Sequence, residues 1–402
     1  MFTPFSPFGQ NPFTGGKPQA KGDLQPVGQD PATPPEMHLP RSVQYYADYS
    51  GCGFWRMIWP EHFINAYQKA IITGQTTMVL DPRFYENVKC VRIQRQATAN
   101  QLQFVQMLKD IQKKAGFRIV YEIDDIVFRE DIPDYNKFKT AFTSDEIRNS
   151  SQKIMELCDE ITVTNHFMRD YYAEKTGNKN VTVIPNYAPR FWIDQYYSEQ
   201  KVRDRFRRHK TRPRILYAGS GAHFDVDNRV KHQDDFEHVS DAIIRSRNEF
   251  KYVFIGAFPA AIGPYIQNGE MEFHQWQPLY EYPSLVDSLQ INMMIAPLQD
   301  NTFNKAKSDI KHLEACALGI PCALQNLVTY KNAPIKFDTG DQMVNSIRRV
   351  LNNKNDYLRA SRDGRQVAKA RWLESPDNLG KYVELFTLPY KHPDRKLINA
   401  IQ

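Results

Sequence analysis

Residues 303–323 read FNKAKSDIKHLEACALGIPCA and bring Lys307, Ser308, Lys311 and Glu314 close together. The run follows INMMIAPLQDNT, an apolar strand and then a polar loop, so Lys307 and Ser308 fall near the amino end of a helix that closes at Gly319. Free backbone N–H groups and the positive end of the helix dipole suit a phosphate at that spot. A lysine and a hydroxyl there add a point charge and a further donor. Lys307 and Lys311 share one helix face, and Glu314 lies about two turns from the phosphate end. A carboxylate at that distance is placed to accept two hydrogen bonds from a ribose. The plain alternative is a solvated helix face carrying a Lys–Glu pair. The small residues ACALGIP, which let the helix pack close to a sheet, favour the ligand.

A second group ends the apolar strand in VYEIDDIVF, where Asp124 and Asp125 stand side by side. Paired carboxylates at a strand end can orient an acceptor hydroxyl, take its proton or hold a divalent metal; a cap or turn is the plain alternative. In GCGFWRMIWP, Gly51 and Gly53 would let backbone approach a ligand and Arg56 could reach a phosphate, against an ordinary loop. Two further patterns carry little. Asp225-Val226-Asp227 spells a metal-binding D-x-D, but three-residue acidic patterns are common by chance. Gly219-Ser220-Gly221 begins like a dinucleotide fingerprint, yet Phe224 stands where a small residue is needed.

Elements that could position these groups alternate along the chain. β-rich runs at 88–94, 117–123, 160–164 and 181–185 are separated by stretches of helical apolar spacing, the pattern of a parallel sheet with flanking helices. Gly116 is placed to end one of those helices. KVRDRFRRHKTRPR, residues 201–214, has no core-forming pattern and marks a connection. A second series follows at 214–220, 251–257, 271–276, 291–298 and 321–326. The reading is α/β, with two Rossmann-like domains facing a cleft. Residues 1–42, rich in Pro, Gly and Gln, form a disordered tail in which repeated Phe could dock on a partner. Residues 43–205 form the first domain and 206–375 the second; a helix in 376–402 returns to the first. In such sheets ligands bind beyond the carboxyl ends of the strands.

Composition bounds the rest. The 402 residues exceed one compact core, and the net charge of +6 permits an anionic partner without demanding one. The five cysteines (Cys52, Cys90, Cys158, Cys316, Cys322) form no metal or disulfide pattern. No apolar run reaches the roughly 18–20 residues of a membrane span, and the start lacks the order of a signal peptide. A soluble, cytoplasmic protein is expected.

IAPLQDNTFNKAKSDIKHLEACALGIP resembles the nucleotide-sugar signature of family-4-like glycosyltransferases of the GT-B fold, and the likeness extends over most of the chain beyond the tail. GCGFWRMIWP is similar to the family's first glycine loop and following helix, VYEIDDIVF to its strand ending in aspartates, VTVIPNYAP to the close of its first domain. RILYAGSGAHFD is similar to the first strand and loop of its second, which puts Gly219 and Ser220 on the donor. The resemblance implies a UDP- or GDP-linked sugar as donor, no required divalent metal, and retention of configuration with the leaving phosphate assisting the incoming hydroxyl. Glu314 matches the second glutamate of a Glu-x7-Glu motif and would bind the ribose. The first falls at Ala306, so Lys307, Ser308 or Asp309 would share its task. The usual basic pair after the first strand of the second domain has no counterpart, and Lys307 and Lys311 would compensate. The base would lie near His274 to Trp276, with Trp276 as base platform or plain core.

The acceptor is less legible. Arginines of 201–214, with Arg348 and Arg349, could contact duplex DNA, and some phage enzymes of this fold glycosylate hydroxymethylated bases. Cell-surface polysaccharide or glycan is the alternative acceptor. Ala306 in place of a glutamate also leaves open a non-catalytic GT-B-like binding or structural protein.

Overall fold

The computed structural model describes residues 39–142, 144–208, 211–225, 230–231 and 233–388. Of the predicted tail, residues 1–38 lie outside the described residues, as does 389–402 at the other end. The first sheet contains β1 (Arg41–Tyr45), β2 (Ile71–Gln75), β3 (Val88–Gln94), β4 (Arg118–Glu122), β5 (Glu160–Val163) and β6 (Val181–Val183). All pairs are parallel, in the order β2-β1-β3-β4-β5-β6. The second contains β7 (Arg214–Gly219), β8 (Lys251–Gly256), β9 (Glu272–His274), β10 (Met293–Ala296), β11 (Cys322–Gln325) and β12 (Lys336–Phe337), ordered β12-β11-β10-β7-β8-β9 and again parallel. Crossover helices cover both faces of each sheet, which is why β10 (MMIA) and β11 (CALQ) are buried throughout.

In each sheet the chain reverses its direction of growth once. β2 is added on one side of β1 and β3 on the other; β8 is added on one side of β7 and β10 on the other. These two reversals are where an open parallel sheet leaves a crevice beyond its strand ends.

Local chemistry sets the helix ends. Thr98 and Gln101 form a capping box at the start of Ala99–Ala115, and Gly116, at φ 74°, ends it in the left-handed conformation. The predicted single helix ending at Gly319 is two. Thr302–Ala306 stops at Lys307, whose ψ of 144° is extended, and Ile310–Ala317 begins three residues later. The break is held from the first half of the chain: Asn165 Nδ2 donates to the carbonyls of Ala306 (2.9 Å) and Lys307 (3.1 Å), groups a continuous helix would have used itself.

Two other expectations are corrected. β1 starts at Arg41, inside the segment read as tail. Its Ser42 and Gln44 are buried polar residues whose partners lie elsewhere: Ser42 Oγ donates to the Phe386 carbonyl at 2.8 Å, and Gln44 Nε2 to Met57 O at 3.0 Å. The connection at 201–214 contains a helix, Glu199–Arg207, with Val202 and Arg205 buried. Arg205 hydrogen-bonds the Leu318 and Gly319 carbonyls, Arg212 those of Arg247 and Glu270, and Arg214 pairs with Glu272. These three are structural, not free to meet a polyanion. At the carboxyl end, the Pro376–Thr387 helix packs on β1 and β3, with Arg118 donating to the Leu385 carbonyl and the Arg92 guanidinium against the rings of Tyr382 and Phe386.

Candidate active site

A cleft of about 220 Å3 lies at the carboxyl ends of both sheets. One wall comes from the first half: Gly51 and Cys52 after β1, Arg95 after β3, Asp124 and Asp125 after β4. The other comes from the second: Gly219, Ser220 and His223 after β7, and Leu298, Lys307 and Ser308 beyond β10. The reversal points of both sheets thus line a single cavity.

On the second wall, Ile310–Ala317 presents an uncapped amino end. Asp309 stands at its N-cap but makes no side-chain cap; its carboxylate turns instead to Arg371, at 2.5 Å. The first N–H groups of the helix are therefore left to another acceptor. Ser308 Oγ accepts from Asn186 Nδ2 at 3.0 Å and faces the same space. Lys311, one residue into the helix, donates to the Ala218 carbonyl at the end of β7 and lies 5.1 Å from the centroid of the Tyr217 ring. Glu314 is recessed one turn further on, and its carboxylate has no hydrogen-bond partner among the described residues. Burial pushes the Glu314 carboxyl up to about 7, against the pull of the Lys311 ammonium. Burial likewise lowers Lys311, with Glu314 opposing and Lys307 adding to the shift. Tyr282 lines the cavity near Glu314 with a buried hydroxyl that also lacks a partner. Trp276 is 54% exposed and lines the cleft, so the plain-core alternative is excluded.

On the first wall each aspartate already carries a cation. Arg95 Nε donates to Asp124 Oδ1 at 2.7 Å, and Lys307 Nζ to Asp125 Oδ2 at 2.9 Å. The second contact spans the cleft from one half to the other. Of the groups expected to take over from a glutamate at 306, Lys307 and Asp309 are thus committed to Asp125 and Arg371.

Two predicted site residues are not in the cleft. Arg56 is fully buried. It lies in a wide helical turn, Phe54–Ile58, that follows the Gly51–Gly53 turn without a break, so the expected glycine loop is the start of a helix. Its guanidinium pairs with Glu122 at 2.5 Å and hydrogen-bonds Ile184 O (2.6 Å) and Asn186 Oδ1 (3.1 Å). Arg92 pairs with the same Glu122. Arg56 therefore supports Asn186, which holds Ser308, and touches no ligand itself. Gly53 is needed by packing: a Cβ there would lie 2.0 Å from the Asp48 carbonyl oxygen. Gly51, by contrast, lines the cavity.

Sequence reading passed over Arg95, Asn186 and His223. Arg95 and Asn186 directly follow apolar strands (VKCVRIQ and VTVIP), a strand-end position that could have flagged them. His223 lies on the loop after the β7 glycine. Its Nδ1 is 2.7 Å from Asp235 Oδ2, and burial holds the imidazole below its ordinary range despite that carboxylate. Of the D-x-D pattern, Asp225 is buried and accepts from Val230 N at 3.0 Å; Val226 and Asp227 lie outside the described residues. Among the described residues no three His, Cys, Asp or Glu side chains group as a metal site, and no helix is long and apolar enough to cross a membrane.

No family model matches the chain, and no curated protein does. Solved structures do. Sucrose-phosphate synthase from Thermosynechococcus elongatus superposes with a TM-score of 0.60 at 12% identity, covering 90% of this chain and 100% of that one. Anabaena HepE, solved with UDP and glucose, gives 0.56 at 9% identity over 86% and 98%. An alpha-glucosyltransferase in complex with UDP and a 13-mer DNA containing a HMU base gives 0.54 at 10% identity over 87% and 99%. The chain has the GT-B fold. At such identities the likeness concerns the path of the backbone; the chemistry has to come from the cleft.

Proposed function

We propose that the protein is a glycosyltransferase that moves a sugar from a UDP- or GDP-linked donor to an acceptor hydroxyl. The observation that carries this reading is one helix start: the open amino end of Ile310–Ala317, flanked by Ser308 and Lys311, with the unpartnered Glu314 carboxylate a turn beyond. Diphosphate oxygens would meet the helix N–H groups, Ser220, Ser308 and the N–H donors that Lys307 and Lys311 keep beyond Asp125 and the Ala218 carbonyl. These positive groups favour the charge that develops on the departing diphosphate. Glu314 would accept from both ribose hydroxyls, and exposed Trp276 would offer a face to the base. The GT-B neighbours, two of them solved with UDP, support a donor of this class.

Asp124 and Asp125 act here as holders of Arg95 and Lys307 and as anchors for the incoming hydroxyl. Each carboxylate is already engaged by a cation, which agrees with a retaining reaction in which the leaving phosphate takes the proton. For the acceptor, a hydroxymethylated base in DNA has the support of the DNA-bound neighbour; a glycan hydroxyl is the alternative.

The test is donor turnover, followed as release of UDP or GDP from a panel of nucleotide-sugars. Lys311→Ala should lower it by roughly a hundredfold or more, the scale of a lost transition-state donor, and Glu314→Gln by roughly tenfold or more at subsaturating donor, the scale of hydrogen bonds to a charged acceptor. Wild-type rates in both variants, or no nucleotide binding by the natural protein, would refute the assignment.

A further inference from the structure

His223 is the one group in the cleft wall whose surroundings look built for a task the account above leaves unfilled. Asp235 beneath it is fully buried and accepts four hydrogen bonds: from His223 Nδ1 (2.7 Å), Tyr135 OH (2.8 Å), Asn304 Nδ2 (2.6 Å) and the Gln299 N–H (2.9 Å). Tyr135 comes from the first half of the chain, and Asn304 and Gln299 from the segment that precedes the helix break. A carboxylate so fully engaged fixes the ring in place and fixes its tautomer. Nδ1 must carry the hydrogen, because an ionised carboxylate only accepts.

Nε2 is then a lone pair. It has no partner among the described residues, and His223 lines the cleft. Burial together with the nearby Lys307 and Lys311 ammonium groups disfavours the imidazolium, so the ring is neutral. A neutral ring offering only a lone pair repels a phosphate oxygen and accepts from a hydroxyl. The position agrees with this: His223 follows the Gly219-Ser220 turn and feels both lysines assigned to the diphosphate, which puts it where the group attached to that diphosphate would sit. Ala306, fully buried, supplies no side-chain acceptor there.

We infer that His223, oriented by Asp235, binds the transferred sugar: its Nε2 accepts a hydrogen bond from a sugar hydroxyl. This rests on the glycosyl-transfer reading above and adds to it a residue that discriminates the sugar and not the nucleotide.

Titration calorimetry on the full chain tests it, with UDP, UDP-glucose, UDP-N-acetylglucosamine, GDP and GDP-mannose as probes against the natural protein, His223→Ala and His223→Gln. For the nucleotide that binds, His223→Ala should leave the bare diphosphate unchanged and weaken its sugar conjugate at least about fivefold, the scale of one hydrogen bond lost at a recessed site. His223→Gln, which keeps an acceptor oxygen, should recover part of that loss. An unchanged ratio of conjugate to diphosphate affinity in both variants overturns the inference and leaves glycosyl transfer standing. Equal loss of diphosphate and conjugate also overturns it, since the ring would then serve the nucleotide or the fold. If none of the five probes binds the natural protein, the glycosyl-transfer reading falls first, and this inference with it.

Discussion

Glu314 joins electrostatics to function most directly. Its carboxyl, at about 7 in the folded protein, lies above the ordinary value of 4.5 because it is recessed from water. The folded state therefore holds a proton that the unfolded chain has released, and by linkage this group's contribution to stability is full below the ordinary value and lost as pH rises through about 7. The ribose binding proposed for Glu314 runs the other way, because the ionised carboxylate is the form that only accepts from the two hydroxyls. Affinity for a nucleotide-sugar should rise roughly fourfold from about pH 6.5 to about pH 8.5, and Glu314→Gln should abolish the dependence. A nucleotide-sugar is the right ligand, since its diphosphate diester has no group titrating in that window. A flat profile in the natural protein would show that Glu314 does not meet the ribose as a carboxylate. Lys307, Ser308, Lys311 and Glu314 were found together because one short segment carries them all, although helix periodicity holds only for Lys311 and Glu314. Arg56 was not, because whether a guanidinium beside a glycine pair meets a ligand or a carboxylate depends on Glu122, contributed by a strand 66 positions away.

At the level of elements, the segment that looked like one helix works because it is interrupted. With Lys307 extended between Thr302–Ala306 and Ile310–Ala317, its ammonium meets Asp125 while Ser308 meets Asn186. Propensity along 302–317 gave no warning, since the interruption is imposed by Asn165 from across the chain. The carboxyl end of the same segment was readable. Gly319 sits at φ +66° and closes the helix, and a Cβ there would come within 2.3 Å of the Tyr197 ring. Gly319→Ala should cost at least about 1 kcal/mol through left-handed strain and overpacking, read as a lower urea midpoint at unchanged slope. An unaltered midpoint would mean that the loop to β11 relaxes freely and does not fix the helix. The strands followed the same division. Apolar runs such as β8 and β10 announced themselves, whereas β1 and β2 did not: β1 buries Ser42 and Gln44, and β2 contains Gly74, where a Cβ would overlap the Tyr46 hydroxyl.

Over the whole molecule, the question is where a large acceptor would bear. The net charge of +6 is spread thinly. In the run 201–214, Arg205, Arg212 and Arg214 serve the fold, so Arg203, Arg207 and Arg208 are the described arginines there that face outward. Arg348 is held by Glu249 at 2.8 Å, which leaves Arg349 as the exposed partner of that pair. Each phosphate neutralised on duplex DNA contributes a slope of about −0.9 to log K against log salt, so three arginines account for about −3 at most. If hydroxymethylated duplex is the acceptor and this helix touches it, binding should weaken with salt, and replacing Arg203, Arg207 and Arg208 together by Gln should flatten the slope by up to that amount. A steep slope untouched by the triple change would move the DNA to another face, with Lys331 and Lys305 beside the second cavity at the break as the next cations to neutralise. Salt-insensitive or absent binding would remove nucleic acid as acceptor altogether. Donor turnover would then be carried to a neutral hydroxyl, and the glycan alternative would take its place, because the charge that attracts a polyanion is separate from Lys307 and Lys311, the half-buried cations proposed to hold a diphosphate.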